Sequence, residues 1–543
     1  MSQPGCAGAR IPPNEGCLGH LAPDQVATYL REVARGNELD GRGVQFSKQL
    51  LHRVFAGNFL GRIPAACFDG ATFEGDTNFD GMIFEGDIHF RGAHFLGNTS
   101  FDGAVFKRSL DLQNTTFGGN LILSKARFES THHLGPFLVR KHLVLDRAVF
   151  ERAVVIDAAA FGVTCDMTIF AKGVTLLLGP RSHLIFERST LGGSSFVGQS
   201  NHFTLKRDLE RDPDESDFDF FIRQGAAKSD DENYFYAEDW FDKSPALLDD
   251  VICSVSSRES ESYMSYQFHL FDSARPRVLS LRETDVAGLT ISHVDLAACR
   301  FVGAFNLDRL RLEGGPALFS VAGGGRWTTG RQSIVEEQLY RRRLAFVQYV
   351  SWKPNRSTVA FGSRNANELF KLQDVWFPAR CRVPRSLESF LKTMEPPEAE
   401  EVVSAYRGLR KAREDIKDEP GAADFYYGEM EMRRLSPWTR RGERLLLWLY
   451  RIVSGYGVRA SRALISLAVT VVAFALLLER WGFRERKSLL SSLLFSAQST
   501  TSLLRPPDLA TTEIGDWINL TLRLLGPLFF GLFLVSLRAR IKR

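Results

Sequence analysis

In this 543-residue chain the residues best placed to do chemistry lie near the C-terminus. Ser499, Thr500, Thr501 and Ser502 put hydroxyls at the end of an apolar stretch, with Arg505 close behind. Hydroxyls and backbone carbonyls at membrane depth can coordinate ions or line a polar path. Arg523 stands inside a second apolar run, where a charge must pair, snorkel to the interface or face a polar cavity. Gly526-Pro527 could bend that run as a gating hinge or be a tolerated, packed bend. The chain has no GxSxG, HExxH, Walker or Rossmann pattern and no convincing nucleophile–base pair. No enzyme is expected, and no catalytic residue is assigned. Seven cysteines are scattered without a CxxC, which argues for a reducing compartment and against a disulfide framework or zinc site. His89 and His94, and His132, His133 and His142, read as solvated loop histidines. Neither a cofactor nor a metal is expected.

Two apolar runs must position the hydroxyls and Arg523. Ala463 to Leu478 carries no charge and reaches spanning length with Trp481 to Phe483. Trp517 to Leu537 is the second. Between them, Ser488 to Leu504 is too short and polar to cross, but suits a re-entrant half-helix buried among protein neighbours. Arg444, Arg451, Arg459 and Arg462 precede the first span, and Arg538, Arg540, Lys542 and Arg543 follow the second. That basic excess predicts a multi-pass protein of the cell membrane with both termini cytoplasmic. Leu445 to Val453 reads as an interfacial anchor. The N-terminus lacks the apolar region of a secretory signal.

The upstream sequence obeys a different rule. Hydrophobic residues recur at alternating spacings of five and six: Phe68, Phe73, Phe79, Phe84, Phe90, Phe95, Phe101, Phe106, then on through Leu112, Phe117, Leu123, Phe128, Leu134, Val139, Leu145, Phe150, Ile156 and Phe161 to Met167. The first seven are each followed two residues later by glycine, from Gly70 to Gly103. Such a period predicts a solenoid whose stacked coils share a phenylalanine core. Four faces per coil would take about 22 residues, with about 4.8 Å between stacked strands. A strict five-residue phase appears at Leu281, Val286, Ile291, Leu296 and Phe301, and resumes with Leu307 and Leu312.

The stretch FDGATFEGDTNFDGMIFEGD resembles the phenylalanine-centred branch of the pentapeptide-repeat family, which implies a right-handed, four-sided β-helix. The order of solenoid, FYYGEMEMRR hairpin, SGYG and paired spans is similar to bacterial membrane proteins that fuse such repeats to a potassium-channel-like module. The resemblance implies a pore lined by Ser499, Thr500, Thr501, Ser502 and Arg505, with Arg523 lining or bracing it, in a tetramer. Arginine there, and no Gly-Tyr-Gly, oppose a potassium-selective filter. Gly455-Tyr456-Gly457 matches a filter string but precedes the first span, where a juxtamembrane hinge is expected.

The expected fold is multidomain β plus α. It comprises a mobile N-terminus and helical cap (1–60), a first β-helix (61–205), an acidic irregular insertion (206–275) and a second pentapeptide-like segment (276–326). A helical region (327–436), an interfacial helix (437–462) and the two-span module (463–543) follow. Within the helical region, 331–350 reads as one basic helix and 398–434 as a helical hairpin broken at Pro420-Gly421. Expected partners are the lipid bilayer, further copies of the chain and an unidentified protein on the solenoid, not nucleic acid. The alternative is a membrane-tethered scaffold without pore activity, its acidic rod resembling DNA as some members of that family do.

Overall fold

The computed structural model describes residues 6–14, 16–55, 61–180, 182–203, 275–314, 318–320, 331–341, 397–484, 488–501 and 511–541. The acidic insertion, most of the basic 331–350 segment, Ser502 and Arg505 lie outside these residues. The described residues form two compact units. One holds the solenoid to Phe319 with Ile334–Leu339, and the other holds Ser320, 331–333, 340–341 and the helices beyond.

Each early coil of the solenoid carries four two-residue strands, such as Ala66–Cys67, Thr72–Phe73, Thr77–Asn78 and Ile83–Phe84. Strand partners sit 22 residues apart in parallel register: Ala66 beside Ile88, Thr72 beside His94, Thr77 beside Thr99 and Ile83 beside Val105. Every named slot from Phe68 to Phe161 is buried. The phenylalanines sort into columns. Phe46, Phe73, Phe95 and Phe117 stack at centroid distances of 4.8, 4.4 and 4.9 Å. Phe84, Phe106, Phe128, Phe150 and Phe170 stack at 4.8, 5.0, 4.4 and 5.1 Å. These spacings match the rise between stacked strands.

Corner glycines serve two different ends. Gly70 has φ +65°, a conformation costly to any residue with a Cβ, and a Cβ there would meet nothing. Gly86 instead packs against the previous coil, where a Cβ would come within 2.6 Å of the Ala65 nitrogen.

Met167 departs from the period: it is exposed, with φ +54°. The cause is a shorter coil, since Val149 pairs with Ile169, 20 residues on, where Arg127 pairs with Val149, 22 on. Cys165 and Phe170 take the inward positions. From His133 the short strands also merge into longer ones, His133–Val144 and Val154–Asp166. The two sequence segments are one stack, because Ser195 pairs with Leu289 and His183 with Arg277.

The stack begins earlier than the repeat does. Leu39–Asp40 pairs with Ala66–Cys67, and Gln45–Phe46 with Thr72–Phe73. Helices α1 (Pro23–Val33) and α2 (Lys48–Phe55) flank this first coil, and α1 buries Val26, Leu30 and Val33. Toward the other end, the buried carboxylate of Glu336 accepts amide hydrogen bonds from Phe301 and Val302 at 2.5 and 2.9 Å. These bonds occupy backbone donors that the next coil would otherwise take.

The second unit is helical: α3 (Ala399–Asp415), α4 (Glu419–Leu435), α5 (Arg441–Ser454), α6 (Ala460–Leu477), α7 (Leu489–Thr501) and α8 (Glu513–Ile541). The α3–α4 break falls at 416–418 rather than at Pro420-Gly421. Proline lacks only an N–H that the first helical turn leaves unpaired, so Pro420 sits inside α4. Asp418 caps that turn by accepting from the Gly421 amide at 3.1 Å.

Candidate functional site: the apolar helices and their junction

Two helices are long and apolar enough to cross a membrane, Ala460–Gly482 and Glu513–Leu537. Only 17% of the most apolar window in each is buried, which sets them apart from the core helices of a soluble fold. Leu464, Ile465, Val469 and Val472 on α6 and Leu520, Leu524, Leu528 and Phe530 on α8 are exposed. So are Leu445, Leu446, Trp448, Leu449 and Ile452 on α5, the stretch expected to be an interfacial anchor.

The short α7 packs between the two long helices through small residues. Ser492, Ser496 and Ser499 are fully buried along it, an i, i+4, i+7 stripe of the kind that lets helices approach in lipid. The Ser496 hydroxyl donates to the Val471 carbonyl of α6 at 2.9 Å. Thr500 donates within its own helix to the Ser496 carbonyl at 2.8 Å. Gly526 lies against Thr500, and a Cβ there would come within 2.6 Å of the threonine methyl. Leu478, Phe495, Ile518 and Leu522 fill the space between the three helices.

This arrangement places the expected site residues as follows. Ser499, Thr500 and Thr501 lie in the last turn of α7, in helical rather than extended backbone. Arg523 and Asn519 lie one turn apart on α8, and Gly526 and Pro527 fall inside the same continuous helix. Among the described residues, Ser499 Oγ, Asn519 Oδ1 and Arg523 Nε and Nη2 are buried without a hydrogen-bond partner. The histidine sets do not converge: His94 bonds Thr116 at 2.7 Å, while His142 lies edge-on to Phe161, its pKa pushed down to about 4 by desolvation and Lys141.

The junction feeding α6 is built around Glu431 of α4, which is 1% exposed. Arg434, Arg341 and Arg451 approach its carboxylate at 2.8, 3.2 and 3.5 Å. The Tyr456 hydroxyl donates to it at 2.7 Å. Tyr456 comes from the Gly-Tyr-Gly string, where Gly455, Tyr456 and Gly457 have φ +55°, +59° and +74°. That left-handed run ends α5 and turns the tyrosine ring onto Tyr427 of α4, 5.0 Å away. Nearby, Arg459 at the head of α6 bonds Asp424 at 3.2 Å and lies over the Tyr427 ring. Burial alone would raise the Glu431 pKa, but the Arg434 hydrogen bond and the three guanidinium charges hold it well below the usual carboxylate range. Desolvation and the Glu431 charge push Tyr456 strongly upward. Sequence reasoning missed Glu431, since one glutamate on a helix gives no signal of the arginines that reach it from elsewhere in the chain.

A family model described as pentapeptide repeats (9 copies) matches residues 65–105 and 90–131. Residues 65–131 are pentapeptide repeats. No curated protein and no solved structure matches the chain.

The pentapeptide-repeat surface spends much of its acidity on itself. Asp76, Asn98 and Asn120 form a side-chain ladder at the corners, accepting from the amides of Asn98, Asn120 and His142 one coil on, at 2.8, 2.9 and 3.1 Å. Asp69, Asp80 and Asp87 do the same for Arg91, Asp102 and Ser109. Glu85 pairs with Lys107 and Arg62, and Asp102 with Lys125. The extra residue in alternate intervals is thus an acceptor that satisfies a corner N–H.

Proposed function

We propose that this is a non-enzymatic, multi-pass membrane protein. In this reading a cytoplasmic pentapeptide-repeat solenoid binds or senses a protein partner, and the paired apolar helices form a channel-like module. The observation carrying the pore reading is the set of unpartnered polar atoms on α7 and α8. Leaving Ser499 Oγ, Asn519 Oδ1 and two Arg523 nitrogens unpaired in an apolar bundle is costly. Facing copies of the chain around a hydrated path would relieve that cost. One pair of spans cannot enclose a pore, so the reading requires a homo-oligomer, and a channel-like layout favours a tetramer. The junction supports coupling, because the Glu431 cluster ties α4 to α5 and the separate Asp424–Arg459 pair ties α4 to the head of α6. Both termini are assigned to the cytoplasm from the basic flanks, although Arg451 also pairs with Glu431 and Arg459 with Asp424. Light scattering in detergent tests the oligomer directly: a tetramer agrees with the pore, and a monomer contradicts it.

A tethered scaffold is the second reading. It is favoured by the hydroxyls of Ser496 and Thr500, both satisfied within one copy of the bundle. In that case the solenoid would bind its partner equally well when cut from its spans.

A further inference from the structure

Three side chains at the N-terminal end of the solenoid meet in a way the pore reading does not use. The Sγ atoms of Cys6 and Cys17 lie 3.5 Å apart. The Nδ1 atom of His20 lies 3.4 Å from Cys6 Sγ and 3.1 Å from Cys17 Sγ. A disulfide would need about 2.05 Å between the sulfurs. Tetrahedral zinc, with Zn–S about 2.3 Å and Zn–N about 2.0 Å, sets its donor atoms roughly 3.5 to 3.8 Å apart. The triangle is close to the second geometry and far from the first. Among the described residues this is the one group of three such side chains whose donor atoms converge.

The backbone is arranged around the sulfurs as well. Cys17 begins a tight turn through Leu18–His20, closed by the His20 amide donating to the Cys17 carbonyl at 2.8 Å. The Gly8 amide donates to Cys6 Sγ at 3.4 Å. An amide turned onto sulfur orients it as a ligand. Gly8 also leaves room, since a Cβ there would come within 2.6 Å of Cys17 Sγ. The segment is fastened to the first coil by the Ala9 amide on the Arg42 carbonyl at 2.8 Å and by fully buried Leu18.

We propose that Cys6, Cys17 and His20 bind one zinc ion that staples the N-terminal segment onto the first coil of the solenoid. Two thiolates and an imidazole select zinc over magnesium or calcium. Cys6 and His20 are exposed, so the fourth position faces solvent and takes water or an external ligand. The site departs from the expectation of no metal. Its trace in the sequence is Cys17-x-x-His20, and the distant Cys6 and the lack of a CxxC conceal it.

The test is cobalt titration of the reduced, metal-stripped full-length chain, with zinc content measured on the chain as purified. The expected result is one zinc per chain as purified, and one cobalt equivalent giving tetrahedral d–d bands and a sulfur-to-cobalt charge-transfer band that zinc abolishes. Cys17→Ser and His20→Ala should weaken cobalt binding at least tenfold, whereas Cys67→Ser should leave it unchanged. No thiolate band and no zinc in the wild-type chain would overturn the proposal without relying on any variant. An undiminished band in Cys17→Ser would overturn it as well.

Discussion

Burial disfavours an ionised Glu431, whereas Arg434, Arg341 and Arg451 favour it, and the carboxyl is held well below the usual carboxylate range. A folded pKa below the unfolded value, about 4.3, gives stability that is complete above that value. It is lost as the pH falls through the folded pKa. Acid should therefore loosen α4 from α5, and hydrogen exchange of the α4 amides would register it. Glu431→Gln should flatten that acid limb and destabilise the helical unit by about 3 kcal/mol, because the arginines would face one another. Tyr456→Phe removes one hydrogen bond to a charged group and should cost about 2 kcal/mol. The Gly-Tyr-Gly string was legible as a break ahead of the first apolar helix. What it binds was not, because Arg341, Glu431 and Tyr456 meet only through tertiary structure.

Among the elements, the solenoid was the most legible, since its period is imposed by stacking: one inward residue per face, repeated every coil. Phe95 stands between Phe73 and Phe117 with rings within 10° of parallel. Phe95→Ala should cost about 3 to 5 kcal/mol. The exposed Met167, at the end of the same arithmetic series, should tolerate alanine within about 0.5 kcal/mol, while Phe170→Ala should behave like Phe95→Ala. Urea unfolding of the three variants checks the order. A loss at Met167 comparable to that at Phe170 would contradict the shortened coil. The change from 22 to 20 residues was hidden because Met167 is apolar and fits the earlier count. The corner acids were hidden differently: their role as acceptors depends on an amide one coil away, and local sequence shows only a charge.

For the whole molecule, the sequence announced a solenoid followed by apolar helices, and the structure joins the two repeat segments into one stack across the long insertion. The small residues of α7 told less, because serines and threonines before an arginine suit both a pore mouth and a tight helix contact. Ser496 and Thr500 serve the contact, while Ser499, Asn519 and Arg523 keep atoms for which one copy offers no partner among the described residues. Whether those atoms face a hydrated path decides between pore and tether. The most direct measurement is conductance in planar bilayers of the full-length chain beside a chain ending at Val458, which keeps Tyr456 and the arginines around Glu431 but lacks Arg459 and both spans. The account predicts discrete openings from the full-length chain alone, with ion preference altered by Arg523→Gln. A silent bilayer, with both spans shown to be inserted, would contradict it.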